Sequence, residues 1–277
     1  MSRPVALLFT HGHAEGIERA VEVARAAAER HGWDLVTGEE RGEHQPELCV
    51  VLGGDGTFIS AIRWIQDTQI PVLGVNMGAF GFLTEAPVEQ LFPVMDELIK
   101  GNLETEERIL LSAKVIRDGQ DVACQTILND VVVNKEALPR IAHIHTFIDE
   151  DYLTTFKADG LIVSSPTGST AYSLSAGGPI VAPTMDCIIV TPICPHTLAV
   201  RPLVISPGET ITVRSQDPGG RLALTVDGQA GTDFSMGESV VVRQAQARVD
   251  LVRFPGQTFF STLRQKLNWA IRPHGEG

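Results

Sequence analysis

Gly53-Gly54-Asp55-Gly56-Thr57 is the stretch whose residue types and spacing could do chemistry. It follows a short apolar run, Leu48-Cys49-Val50-Val51-Leu52, and precedes a segment with helical spacing. Glycines at the carboxyl end of a buried parallel strand let the backbone approach phosphate oxygens, and a following helix N-terminus favours anions. The loop is not a P-loop, because no GxxxxGK[ST] run occurs in the chain. It also misses the dinucleotide fingerprint: counted from Gly54, the third glycine position holds Ile59. Asp55 is the informative residue, since a carboxylate among phosphate-binding glycines repels the anion they invite. It fits a general base for a hydroxyl, or a contact to a metal that bridges phosphates. The plainer reading is that Asp55 caps the next helix.

A second stretch runs Pro166-Thr167-Gly168-Ser169-Thr170-Ala171-Tyr172-Ser173-Leu174-Ser175-Ala176-Gly177-Gly178-Pro179. It opens as a hydroxyl-rich turn, continues as about two helical turns and stops at Gly-Gly-Pro. Its amides and hydroxyls could hold phosphate, ribose or an amide, and Tyr172 could stack on a base. A capped surface helix is the plainer alternative. The third signal is Leu128-Asn129-Asp130-Val131, an Asn–Asp pair inside a β-forming stretch from which both types are normally depleted. The pair could take ribose hydroxyls or an adenine edge; a bulge or strand end explains it more simply. Smaller signals are Asn76–Leu83 after an apolar run, the turn-like Lys157-Ala158-Asp159-Gly160, and the rigid loop Pro192–Leu198 with its single His196. Asp227-Gly228-Gln229 reads as a hairpin turn.

The elements that must position these residues fall into two grammars. In the first hundred residues apolar strands alternate with amphipathic helices. Strands are expected at Val5–Phe9, Asp34–Thr37, Leu48–Leu52 and Ile70–Val75. Helices are expected over 15–30, closed by Gly32, near Phe58–Gln66 and near Val88–Lys100. That alternation predicts a Rossmann-like α/β domain with a parallel sheet over residues 1–102. Beyond it, β-rich runs at 109–117 and 120–128 flank Asp118-Gly119. Short strands follow near 141–148, 152–156, 161–164, 187–191, 210–214, 221–226, 239–243 and 248–253. These predict an all-β, antiparallel sandwich-like domain over 103–257. Residues 258–277 regain helical character and are expected to pack back on the N-terminal domain or on a partner subunit.

With 22 Lys and Arg against 34 Asp and Glu, the 277-residue chain carries a net charge of −12, which argues against nucleic acid as a partner. The four cysteines form no CxxC pair, so neither a zinc site nor a disulfide framework is indicated. No apolar run reaches the ~18 residues of a membrane span, and the short apolar N-terminal run does not make a signal peptide. A cytoplasmic protein with no membrane partner is the expectation.

Taken in order, GGDGT, the Asn–Asp pair, TGSTAYSLSAGGP and Pro192-Ile193-Cys194-Pro195-His196-Thr197-Leu198 resemble the NAD kinase family, over roughly residues 50 to 230. GGDGT alone is shared with lipid kinases; the thirteen-residue run from Thr167 to Pro179 is far more specific. One departure is Asn129-Asp130, where the family has Asn–Glu, leaving the carboxylate one methylene shorter. The resemblance implies transfer of the terminal phosphate of ATP, or of polyphosphate, to the 2′-hydroxyl of the adenosine ribose of NAD, with a divalent cation such as Mg²⁺. It implies a general-base role for Asp55, with Gly53, Gly54, Gly56 and Thr57 at the substrate loop. Asn129 and Asp130 would hold ribose or adenosine, with Ala171 and Tyr172 near the adenine. Lys157, Asp159, Thr170, Ser173, Leu174, Ser175 and Gln229 fall where the family contacts the dinucleotide. Phe82 matches a pocket-lining aromatic, Arg140 a basic ligand contact and Cys194 a substrate-lining position. The metal would be held mainly by nucleotide phosphates, and the working form would be a homo-oligomer, a dimer or tetramer.

Overall fold

Continuous apolar runs bury a strand on both faces, and the first four strands show it. In a computed structural model, β1 (Val5–Thr10), β2 (Asp34–Thr37), β3 (Leu48–Gly53) and β4 (Val72–Asn76) form a parallel sheet in the order β4-β3-β1-β2. The described residues are 3–10, 16–38, 40, 45–65, 70–78, 81–84, 86–91, 93–94, 97, 100, 102, 104–135, 141–215, 221–254 and 256–269. Parallel neighbours need crossovers; α1 (Ile17–Arg30) joins β1 to β2, and α2 (Asp55–Trp64) joins β3 to β4. Helix α1 buries Ala20, Ala24, Ala27 and Ala28, small residues that let its axis lie close to the sheet. It ends in a Schellman turn: Gly32 has φ 73°, its amide donates to Glu29, and that of Trp33 to Ala28 at 2.8 Å. Gly32 thus closes the helix as its position predicts.

The chain divides into two units, Met1–Glu107 with Val249–Gly277, and Arg108–Arg248. In the first, the two-residue strand β5 (Ala86–Pro87) also pairs with β4. The expected helix over Val88–Lys100 begins as a 3₁₀ turn at Val88–Gln90; several of its residues lie outside those described.

The second unit is a sandwich of antiparallel strands. One sheet runs β13 (Leu203–Ile205), β12 (Ile188–Ile193), β11 (Gly160–Ser164), β8 (Asp130–Lys135), β15 (Arg221–Val226), β16 (Gln229–Ser235). Opposite it lie the hairpin β6 (Thr105–Arg117) and β7 (Gln120–Ile127), and the run β10 (Asp151–Ala158), β9 (Ala142–Ile148), β14 (Ile211–Ser215), β17 (Ser239–Val252). Between the sheets sits a core that includes Leu111, Ile127, Val131, Val133, Ile144, Leu161, Val163, Val190, Val213 and Phe234. The β6–β7 turn has Asp118 and Gly119 at φ 50° and 76°, the paired left-handed conformation that makes Asp-Gly a hairpin signal. The expected strands 239–243 and 248–253 are one continuous strand, β17, through the polar stretch between them.

Period-two alternation decides what faces out. Val131 and Val133 of β8 point into the core, so Asp130, Val132 and Asn134 share the opposite face. Ser164, Ile162 and Gly160 of β11 lie directly across from them.

Candidate active site

In the first unit the glycine loop sits where β3 ends and α2 begins. Gly54 is the N-cap and Asp55 the first helical residue, so Asp55 does not cap the helix, and Gly54 makes no side-chain cap bond. A Cβ on Gly53 would stand 2.5 Å from the Thr57 side chain, which makes this tight strand-to-helix turn a glycine position. Gly54 and Gly56 differ: a Cβ on either would meet nothing within 4 Å. Open space above exposed backbone at a helix N-terminus suits a phosphate.

The Asp55 carboxylate reaches out of the helix to the segment after β4. Its Oδ2 accepts the Phe82 amide at 2.9 Å. Its Oδ1 accepts the Leu83 and Thr84 amides at 3.0 and 3.2 Å and the Thr84 hydroxyl at 3.3 Å. Thr84 is fully buried and is fixed in turn by Asn76, whose Nδ2 donates to its carbonyl at 3.1 Å. The approach is so close that a Cβ on Gly81 would stand 2.0 Å from Asp55 Oδ1. A carboxylate oxygen offers two lone pairs; among the described residues Oδ2 receives one donor and Oδ1 three. The half-buried Phe82 ring lies 6.5 Å from that of Phe259, on the helix Phe259–Lys266.

In the second unit Asn129, Asp130, Ala171 and Tyr172 line one cavity of about 360 Å³, with Val132, Asn134, Thr225, Asp227 and Gly228. That volume lies within the usual range for small-molecule sites. The hydroxyl-rich segment packs at its edge as a 3₁₀ turn (Thr167–Thr170) and one helical turn (Tyr172–Ser175). The Ser165 hydroxyl donates to the Leu128 carbonyl at 2.5 Å, and its amide donates to the Asn129 carbonyl at 2.9 Å. Gly168 lies so near Asn129 that a Cβ would stand 2.1 Å from that carbonyl oxygen. Ser173 is buried with its hydroxyl 2.9 Å from that of Thr191, and Gly178 leaves it room. Tyr172 stays 44% exposed, its ring available for stacking.

Asp130 is only 4% exposed. Burial, then the charge of Asp227, push its carboxyl up to about 7, against a hydrogen bond from the Tyr172 amide. The sign for stability follows. Below about pH 4 the carboxyl is protonated whether the chain is folded or not; from there to about 7 only the unfolded chain ionises, so stability is lost as pH rises. The loss is on the order of a few kcal/mol. Asp130→Asn is therefore expected to melt higher than the parent at pH 8, the advantage shrinking towards zero near pH 4. Thermal melts of both proteins across that range check it; an advantage independent of pH would contradict it.

The other expected residues are more dispersed. Lys157 is exposed on β10, its carbonyl taking the His196 amide at 2.9 Å, while Asp159 forms an ion pair with Lys135. Thr170 bonds back to Thr167, Leu174 is half-buried and Ser175 exposed. Cys194 is exposed with φ 46°, and Gln229 is exposed at the start of β16. Arg140 lies outside the described residues. Sequence reasoning missed Val132, Asn134 and Thr225, and took Asp227-Gly228 for a turn only. Counting by two from Asp130 would have found Val132 and Asn134.

Among the described residues no three His, Cys, Asp or Glu side chains converge on a metal position. No helix among them is long and apolar enough to cross a membrane. Burial pushes the Cys49 thiol up to about 12, away from thiolate chemistry.

Residues 18–103 match the family model for the ATP-NAD kinase N-terminal domain, and residues 128–254 that for the ATP-NAD kinase C-terminal domain. The chain is 50% identical to the NAD kinase of Geobacter sulfurreducens and 47% identical to that of Geotalea daltonii. Each alignment covers 82% of this chain and 80% of the relative. Among solved structures, the yeast NADH kinase complexed with NADH aligns with a TM-score of 0.87 at 26% identity, covering 98% of this chain and 90% of that one. The NAD kinase from Archaeoglobus fulgidus aligns at 0.77 and 22% identity, over 95% of this chain and 98% of that one, which bears on the fold alone.

Proposed function

This chain belongs to the ATP-NAD kinase family, and from that premise we infer that it transfers the terminal phosphate of ATP to the 2′-hydroxyl of the adenosine ribose of NAD, giving NADP. The two-domain fold is that of the family. What carries the mechanism is the placement of Asp55: first in α2, flanked by glycines with open space above them, and held at both oxygens by the segment 82–84.

A ribose hydroxyl is a weak nucleophile with a high pKa, so a fixed carboxylate helps by taking its proton as the new bond forms. We assign that role to Asp55 Oδ2, which among the described residues receives one donor where Oδ1 receives three. The amides on Oδ1 hold the group still, so positioning is built in before substrate arrives. Gly53, Gly54, Gly56 and Thr57 are assigned to phosphate at the helix N-terminus, and Phe82, whose amide holds Asp55 Oδ2, to the pocket wall on family position. In the second unit Asn129 and Asp130 are assigned to ribose or adenosine, and Ala171 and Tyr172 to adenine, because these four share one cavity. Lys157, Asp159, Thr170, Ser173, Leu174, Ser175, Cys194, Gln229 and Arg140 are assigned to the dinucleotide on family position alone.

A divalent cation, Mg²⁺ by preference, neutralises phosphate charge when bound. The described acidic residues build no cage for it, so we assign it chiefly to the phosphates of the donor. Polyphosphate is a second donor to test. We further propose a homo-oligomer working in the cytoplasm; four unpaired cysteines fit a reducing compartment.

The test is purified protein with NAD, ATP and Mg²⁺, the product read by an NADP-specific dehydrogenase. NADP accumulating in proportion to enzyme is expected. NAD binding without turnover, with ATP or polyphosphate as donor, would replace the kinase by a sensor.

A further inference from the structure

Leu128 and Asn129 join β7 to β8, strands that belong to opposite sheets of the sandwich. A chain leaving one ladder for another presents amides that need other partners. Here three successive amides, of Leu128, Asn129 and Asp130, donate to a single carboxylate, that of Asp227, at 3.1, 2.7 and 3.1 Å. The tie is reciprocal, for the Asp227 amide donates to the Asp130 carbonyl at 2.9 Å. Consecutive amides converging in this way make an anion-binding concavity, which the chain fills with its own side chain.

Turn chemistry does not ask for a carboxylate at this position. Asp227 and Gly228 take φ 49° and 71°, a turn that Asn-Gly fits equally well. The charge is also unfavourable where it stands, since Asp227 and the buried Asp130 line the same cavity and its charge opposes ionisation of the Asp130 carboxyl. An asparagine would offer acceptor lone pairs on one oxygen only, and would turn an NH₂ towards an amide. Only the carboxylate satisfies all three donors.

We propose that Asp227 is a positioning residue for NAD: by gathering these three amides it fixes the corner at Asn129–Asp130, so that both side chains are presented to the cavity. The assignment rests on the reading that this cavity receives the adenosine half of NAD.

The experiment compares Asp227→Asn with the parent by steady-state kinetics and by amide hydrogen exchange over residues 126–132. With its oxygen kept on the Asn129 and Asp130 amides, asparagine turns its NH₂ on the Leu128 amide; leaving that donor unmatched is expected to raise KM for NAD about tenfold or more, with kcat at saturating NAD within about threefold. KM for ATP should hold, and exchange in that peptide should quicken. Faster exchange with an unchanged KM for NAD would reduce Asp227 to a structural tie and overturn the proposal. A raised KM with unchanged exchange would overturn it too, because Asp227 would then act by touching the ligand. Asn129→Ala, measured beside it, separates the two layers. If that variant leaves KM for NAD unchanged, the cavity is misassigned and both readings fall. If Asn129→Ala raises it and Asp227→Asn does not, only the positioning role falls. Should Asp227→Asn prove too unstable to assay, Asp227→Ser, which keeps one acceptor, is held to the same outcomes.

Discussion

Asp55→Asn is expected to lower kcat by about 10²–10⁴-fold, the usual contribution of a placed general base, while KM for NAD stays within a few-fold of the parent. The asymmetry comes from the geometry. Asparagine can keep its oxygen towards the Leu83 and Thr84 amides and so hold the segment nearly in place. Its nitrogen then replaces Oδ2, where it cannot accept the ribose proton and confronts the Phe82 amide instead. That confrontation costs about 1–3 kcal/mol of stability, a second readout for thermal melts. Initial rates in the coupled NADP assay supply the first. Turnover equal to the parent would leave the kinase and remove the base. A loss of NAD binding as large as the loss of kcat would mean that Asp55 holds substrate rather than a proton.

Gly168→Ala is the second large effect, and it acts through backbone rather than charge. Gly168 has an ordinary φ, so alanine suffers no dihedral strain; the obstacle is the Asn129 carbonyl oxygen 2.1 Å from the new methyl. A flexible side chain could swing aside, but this neighbour is main chain and is itself held by Ser165. The turn 167–170 must lift away from the corner at Asn129, taking Ala171 and Tyr172 with it. We expect a stability loss of about 1–3 kcal/mol from overpacking, and KM for NAD to rise about tenfold or more. Gly208→Ala is the control: its nearest atom lies 3.9 Å away, and melting and kinetics should both stay at the parent's values. A Gly168→Ala enzyme indistinguishable from that control would show that the turn and the corner move independently.

How much of this was legible beforehand depended on how local the physics was. The parallel strands and the β-rich half announce themselves by period, because burial on both faces or on one face writes itself into consecutive residues. The Asp118–Gly119 hairpin was readable for the same reason: a left-handed pair needs particular residues at two adjacent positions. Helix α2 begins at Asp55 rather than near Phe58, since first-turn amides need no intrahelical partner and glycine's low propensity matters little there. Asp55 itself stood out because its charge conflicted with its neighbours. Asp227 did not, because its hydrogen-bond partners lie 97 to 99 residues away and a turn already explained it. A residue with a sufficient local reason hides a distant one.

The division of the chain into Met1–Glu107 with Val249–Gly277 around Arg108–Arg248 has a consequence for synthesis on the ribosome. The last strand of the sandwich, β17, ends by laying Leu251 beside Val72 of the parallel sheet. The two partners are 251 − 72 = 179 residues apart, so at ~5–20 residues per second the first-made domain waits on the order of ten seconds or more for its final neighbour. The domain begun first is completed last. The half that carries the glycine loop cannot complete its sheet in passing: its last paired strand residue is made only after every residue of Arg108–Arg248.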